Sequence, residues 1–202
     1  MDNNNILGAV LAGGKSQRFG EDKSQVKLEG KLLVDYILSE IIDEFREILI
    51  VSNNQIDFKK SKKISLIEDY KKNLGPLGGV LTAMKWVEDN NKDYNWISTF
   101  PADTPFFKKS ILQQFLKDIK PEESKLFFIK FNHTRHNIFG LWSIDLIKKL
   151  EEDLDNGERK VEVWANSIGV KVINMKFLDE DSFFNINTKK DLEEAKGKIN
   201  ND

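Results

Sequence analysis

Leu11-Ala12-Gly13-Gly14-Lys15-Ser16-Gln17-Arg18-Phe19-Gly20-Glu21-Asp22-Lys23 decides how this chain is read. It follows the apolar run Ile6 to Val10, which has the composition of a buried strand, and it precedes a helical pattern. Paired glycines let backbone N–H groups approach a ligand with no Cβ in the way. Lys15, Arg18 and Lys23 set three cations around the same bend. A strand that opens into such a turn offers a polyphosphate close donors and compensating charge. It is not a P-loop: that motif needs a glycine five places before Gly14, where Ala9 stands, and Gly8 is one place too early. No G-x-G-x-x-G is present either. A solvated basic turn after a strand is the plain alternative, and three cations favour the phosphate site.

The 202 residues suffice for a single domain, with residues 1–120 as a nucleotide-binding half and 121–202 as an acceptor-binding half. Apolar residues make up 40 %, charged residues 32 %, and the net charge is −2, the profile of a soluble globular protein. No apolar run reaches the roughly 20 residues of a membrane helix, and Met1 to Asn5 has no signal-peptide character. Mixed charge near zero argues against nucleic-acid and membrane partners. With no cysteine, disulfides, thiolate metal sites and a cysteine nucleophile are excluded, and two histidines alone cannot supply a zinc site. A cytoplasmic location follows as the default.

Outward from the glycine turn, Lys31 to Phe45 has apolar residues at helical spacing. Ile48–Val51 and Ile64–Ile67 read as strands, Pro76 to Val87 as a helix, Asn95 to Phe100 as a strand and Ile111 to Ile119 as a helix. Strand followed by helix, taken four times, predicts an α/β fold: an open, mostly parallel twisted sheet with helices on both faces, a Rossmann-like three-layer sandwich. The second half is less regular. Leu126–Phe131 and Asn137–Trp142 read as a hairpin, Ile144–Leu154 as a helix, Val170–Met175 as a strand and Lys189–Ile199 as a final helix.

Ligands of open α/β sheets bind beyond the carboxyl ends of the strands. Those ends carry the glycine turn, Ser52-Asn53-Asn54, Asp69 and Asp103. Together they offer donors, amides, cations and carboxylates, the inventory for a nucleotide and a divalent ion. Asp103 lies between Pro101 and Pro105. Such a rigidly held carboxylate suits Mg²⁺, or equally caps the helix that follows. Asp69 taken alone reads as a turn or cap. Gly75-Pro76-Leu77-Gly78-Gly79 begins a helix, yet each further glycine there costs about 1 kcal/mol relative to Ala, so something needs the space. Arg159 and Lys160 are balanced between a phosphate contact and a solvated turn.

The Leu11–Lys23 stretch resembles the signature loop of the nucleotidyltransferases with a GT-A-like fold, and most of all that of the molybdenum cofactor guanylyltransferases. The resemblance continues through Asp69, Gly75–Gly79, the Asp103-Thr104-Pro105 turn, Gly157-Glu158-Arg159-Lys160-Val161 and Asn185-Ile186-Asn187-Thr188. It implies transfer of GMP from GTP to molybdopterin with release of pyrophosphate, with Mg²⁺ as cofactor. Lys15, Arg18, Lys23 and Asp103 would be catalytic, and Asp103 the metal ligand. Leu11, Ala12, Gly13, Gly14, Lys23, Asn53, Asp69, Gly75, Pro76, Leu77, Gly78 and Asp103 would bind the nucleotide. Ser52 and Asn54 compete with Asn53 for that contact. Arg159, Asn185 and Asn187 would meet the acceptor. Cofactor-supplying proteins and apo-molybdoenzymes are the protein partners it suggests. His136-Asn137 departs from the His-Pro common in the family, and His136 reads as a strand-edge histidine. A cytidylyl- or sugar-1-phosphate transferase is the nearest alternative, although cytidylyl relatives tend to have Ala-Ala-Gly where Ala12-Gly13-Gly14 stands. A nucleotide-binding module without catalysis is the other.

Overall fold

In the computed structural model, which describes residues 3–13, 25–176 and 178–199, the strand that precedes the glycine turn lies inside the sheet, between two parallel neighbours. The first half runs β1 (Ile6–Leu11), β2 (Lys27–Leu28), β3 (Lys31–Leu32), α1 (Leu33–Ile41), β4 (Ile48–Val51), β5 (Ile64–Ile67), α2 (Gly75–Asp89), β6 (Trp96–Pro101) and α3 (Lys109–Asp118). The second half adds β7 (Leu126–Phe131), β8 (Thr134–Ser143), α4 (Ile147–Asp155), α5 (Val161–Ile168), β9 (Lys171–Asn174) and α6 (Lys189–Ile199). Seven strands form one sheet in the order β5-β4-β1-β6-β8-β7-β9, with β8 antiparallel to both its neighbours. The short β2 and β3 form a separate antiparallel ladder.

The continuous apolar runs follow from burial on both faces. Ile6 and Val10 of β1, and Ile48 and Ile50 of β4, join α1 and α3 in one core. The alternate residues Leu7, Ala9, Leu49 and Val51 face α2, α4 and α5 in the other. Each such Val, Leu or Ile side chain, fully buried, stabilises by about 1.5–3 kcal/mol. Gly8 interrupts the β1 run because a Cβ there would lie 2.9 Å from the Phe45 ring.

The strand–helix rhythm breaks once. Residues 52–63, between β4 and β5, form no helix. Asn53, Asn54, Asp57 and the lysines leave no apolar stripe, and only Ile56 and Phe58 anchor this segment to the core. Two elements lie outside the sequence expectation. The helix predicted from Lys31 begins at Leu33, after the β2–β3 ladder, and α5 occupies a stretch for which no element is predicted. Gly169, at φ +83°, ends α5 in the left-handed conformation that glycine allows.

Candidate active site

The parallel ladder is carried past the end of β1 on both sides. Ala12 N donates to Val51 O at 3.0 Å, and Ala102 N donates to Leu11 O at 3.2 Å. Leu11, Ala12 and Gly13 therefore leave the sheet between the chain that leads to Asn53 and the chain that leads to Asp103. Ser52 N extends the ladder to Ile67 O at 2.9 Å, so Asp69 comes alongside Asn53. Asn53 Nδ2 donates to Asp69 Oδ2 at 2.6 Å, and Asp69 N donates back to Asn53 Oδ1 at 3.3 Å. A Cβ on Gly13 would come within 3.9 Å of that carboxylate. Burial pushes the Asp69 carboxyl above its usual range, opposed by the Asn53 hydrogen bond. Of the three candidates at this strand end, Asn53 faces Asp69. Ser52 is buried, and its Oγ accepts from Asn54 N at 3.1 Å to close the turn.

The next loop leads into α2 through Asn73 and Gly75, at φ +64° and +67°. Nothing lies within 4 Å of where a Gly75 side chain would be. Pro76 fits the first turn, where no N–H is needed, and Leu77 is fully buried. Packing accounts for the other two glycines. A Cβ on Gly78 would sit 2.5 Å from Leu74 Cβ, and one on Gly79 would sit 3.1 Å from Leu11 Cδ2. The Thr82 hydroxyl donates to Gly78 O at 2.8 Å and accepts from Tyr70 N at 3.0 Å, holding the loop after Asp69 against α2.

Asp103 lies two residues beyond β6, on the edge where Gly13 leaves β1. Its backbone O accepts from Ile186 N at 2.9 Å, which draws the chain carrying Asn185 to the same turn. Thr104, fully buried, holds its hydroxyl 2.7 Å from Asn185 Oδ1 and 3.5 Å from Asp103 Oδ1. An aromatic cluster sets the path of this chain. Phe183 packs among Phe107, Phe131 and Phe139, and His136 stacks on it with ring centroids 3.9 Å apart. On the other side Phe184 lies against Phe106. Burial lowers the His136 imidazole to about 4, so it is neutral at physiological pH. Phe183, which helps set the path of the chain that carries Asn185, and Thr104, which bonds to the Asn185 side chain, were not singled out from sequence. Their phenylalanine and threonine identities resemble any core position.

Among the described residues no three His, Asp or Glu side chains gather as a metal cage. The Asp103 carboxylate still has the chemistry that suits Mg²⁺, an ion that keeps several waters and takes other ligands from phosphate oxygens.

Strands β7 and β9 run parallel to β6 and end on the same edge, while β8 begins there. In β8, residues 137–139 bulge out of register with β7, between Phe128 and Ile129. The bulge is pinned by the Thr99 hydroxyl, which donates to Ile138 O at 2.5 Å and accepts from Trp142 Nε1 at 2.8 Å. Arg135 donates to Asn137 Oδ1 at 2.7 Å and to Asn166 Oδ1 of α5 at 2.8 Å. Arg159 is engaged at the α4–α5 junction, with Nη1 donating to Leu154 O and Glu158 O, each at 2.6 Å. Asn187 N and Thr188 N donate to Asp191 Oδ2, and Asp191 N donates to Thr188 Oγ1, a capping box that opens α6. The structure thus joins Gly13, Asn53 and Asp69 in one group and Asp103 with Asn185 in another on the same edge, and holds Arg159 at the junction of α4 and α5. Gly14, Lys15, Arg18 and Lys23 lie outside the described residues.

The model of the MobA-like NTP transferase domain matches residues 8–167. A molybdenum cofactor guanylyltransferase from Haemophilus influenzae is 30 % identical over 193 residues, covering 94 % of this chain and 97 % of that protein. A probable molybdenum cofactor guanylyltransferase from Aquifex aeolicus is 26 % identical over 91 % of this chain and 86 % of its own length. Among solved structures, the molybdopterin-guanine dinucleotide biosynthesis protein A from Archaeoglobus fulgidus superposes with a TM-score of 0.77 at 22 % identity, over 97 % of this chain and all (100 %) of that one. The CMP:2-keto-3-deoxy-manno-octonic acid synthetase gives 0.74 at 9 % identity, over 98 % and 99 % of the two chains. At such identities these likenesses speak for the fold alone.

Proposed function

The chain belongs to the MobA-like NTP transferase domain family, and from that premise we propose that it transfers GMP from GTP to the phosphate of molybdopterin, with Mg²⁺ and with release of pyrophosphate. It is a nucleotidyltransferase. The observation that supports the finer reading is the gathering of Gly13, Asn53, Asp69 and Asp103 on one sheet edge, with Asn185 bonded into the Asp103 turn.

An oxygen of the acceptor phosphate would attack the α-phosphorus of GTP in line. One P–O bond forms, the bond to the β-phosphate bridge breaks, and pyrophosphate leaves with the electron pair. No covalent enzyme intermediate is needed, since positioning and charge neutralisation lower the barrier. Lys15, Arg18 and Lys23 hold the triphosphate and the leaving group. Asp103 would hold the magnesium ion, whose charge, when bound, offsets that on the phosphates. Asn53 and Asp69, fixed by each other, present a ready-made acceptor and donor pair to the nucleoside, and the turn that starts α2 lies beside the guanine. Asn185, Asn187 and Arg159 receive the acceptor. A protein that supplies molybdopterin and an apo-molybdoenzyme that takes the product are the partners this reading calls for, in the cytoplasm. Neither nucleic acid nor membrane takes part; among the described residues no helix is long and apolar enough to cross a bilayer.

The test is pyrophosphate release in the presence of GTP, Mg²⁺ and molybdopterin. Release that requires all three is the expected result. Thermal stabilisation by CTP or UTP in place of GTP would replace guanine with another base. GTP binding without release would leave a non-catalytic module.

A further inference from the structure

We propose that Thr104 is a positioning residue for the acceptor, its hydroxyl fixing the side-chain amide of Asn185 at the Asp103 turn. The inference rests on the guanylyltransferase reading and extends it to a residue given no role there. Thr104 has no exposed surface, and its hydroxyl has one proton to donate. Asn185 Oδ1, at 2.7 Å, is the partner within good range, whereas Asp103 Oδ1 at 3.5 Å is at the limit of a hydrogen bond. The bond fixes the rotamer of Asn185 and turns its two amide N–H donors away from Thr104. Asn185 itself is exposed. Water would satisfy its carbonyl oxygen equally well, so the protein gains little stability from supplying a buried hydroxyl in its place. What it gains is a pre-set pair of donors at the active edge, suited to phosphate or carbonyl oxygens of the second substrate, with the cost of ordering met before binding.

The chain path does not depend on this bond. Ile186 N still reaches Asp103 O at 2.9 Å, and Phe183 and Ile186 are buried on either side of the exposed asparagine. Thr104→Val therefore removes the hydroxyl with nearly constant volume and strands no buried polar atom.

The experiment compares wild type, Thr104→Val, Thr104→Ser and Asn185→Ala by equilibrium titration with molybdopterin and with GTP·Mg²⁺, and by steady-state pyrophosphate release. Thr104→Val is expected to weaken molybdopterin binding about tenfold, the worth of one hydrogen bond to a charged or polar ligand, and to leave GTP binding within twofold. Thr104→Ser restores the wild-type value. Combined with Asn185→Ala, Thr104→Val adds nothing further, because it acts through that side chain. Unchanged molybdopterin binding by Thr104→Val, an equal loss for GTP, an additive loss on top of Asn185→Ala, or an unfolded Thr104→Val protein each overturns the assignment. A wild type that binds GTP but not molybdopterin fails one step earlier and overturns the guanylyltransferase reading together with it. A wild type that binds both and a Thr104→Val variant that matches it overturn the Thr104 role alone.

Discussion

Where β1, β4 and β5 end, polar side chains bond across strands to one another, as Asn53 does to Asp69 beneath Gly13. Where β7, β8 and β9 meet the same edge, polar side chains bond within their own neighbourhood. Arg135 turns to Asn137 and α5, Arg159 to the carbonyls that end α4, and the Asn187 backbone to the cap of α6. Asn185 reaches across through Thr104. On the first side each residue lies one or two places past a parallel strand, so strand order alone brings the group together. On the second side placement is indirect, through a bulge, an aromatic cluster and helix caps. The difference teaches that the rim proposed for the nucleotide is set by topology and the rim proposed for the acceptor by packing.

The sharpest way to break this contrast is Asp103→Ala or Lys23→Ala. If the first rim carries the charge chemistry, each lowers kcat/KM by at least about a hundredfold while circular dichroism shows an intact fold. The second rim is tested by acid. Burial holds the His136 imidazole at about 4, so above pH ~6.5 it is neutral in both folded and unfolded chains. As pH falls from there towards 4, the unfolded chain takes up a proton that the folded one refuses, and stability declines by something on the order of 2–3 kcal/mol. His136→Phe, which can keep the stack on Phe183, should remove that part of the decline when urea unfolding is compared at pH 7 and 4.5.

Smaller effects separate the two substrates. Asn53→Ala should raise the KM for GTP about tenfold and leave that for molybdopterin unchanged. Asp69→Asn should weaken GTP binding yet stabilise the protein at neutral pH. Burial raises this carboxyl, so at pH above its folded value the ionised form carries a cost that the unfolded chain does not. An unchanged melting temperature would show that the Asn53 bond cancels the burial. Least of all, Arg159→Ala should lower Tm by a few degrees through loss of its hold on the end of α4, and raise only the acceptor KM. A stability loss with no change in that KM makes Arg159 a helix cap alone.

The same contrast governs what could be read before the fold was seen. Ile48–Val51 has its observed bounds because a strand buried on both faces is a continuous apolar run with polar ends, and the apolar residues of Ile64–Ile67 and Leu126–Phe131, interrupted only by Ser65 and Lys130, mark those strands almost as well. Asp103 and Asp69 stand out at those ends for the same reason. Asn53 could not be told from Ser52 and Asn54, since the choice depends on Asp69, 16 residues away. The two-residue strands β2 and β3 are too short for any period. In α5, Val161-Glu162-Val163-Trp164 mixes β-branched and aromatic residues and hides a helix of 8 residues. The β8 bulge leaves no mark, because residues 137–139 suit a regular strand equally well. Gly78 and Gly79 were legible as glycines that something required, but the requirement comes from Leu74 and Leu11.

The antiparallel strand β8 laces the two halves together inside the sheet, pairing with β6 over Trp96–Thr99 and with β7 along most of its length. A clamshell needs a seam of weak contacts about which its shells can swing, and this molecule has hydrogen-bonded backbone there instead. In the proposed reaction, entry and exit of the two reactants would fall to the segments beyond the strand termini. In the proposed transfer, this continuous ladder is what would hold donor and recipient at a set distance.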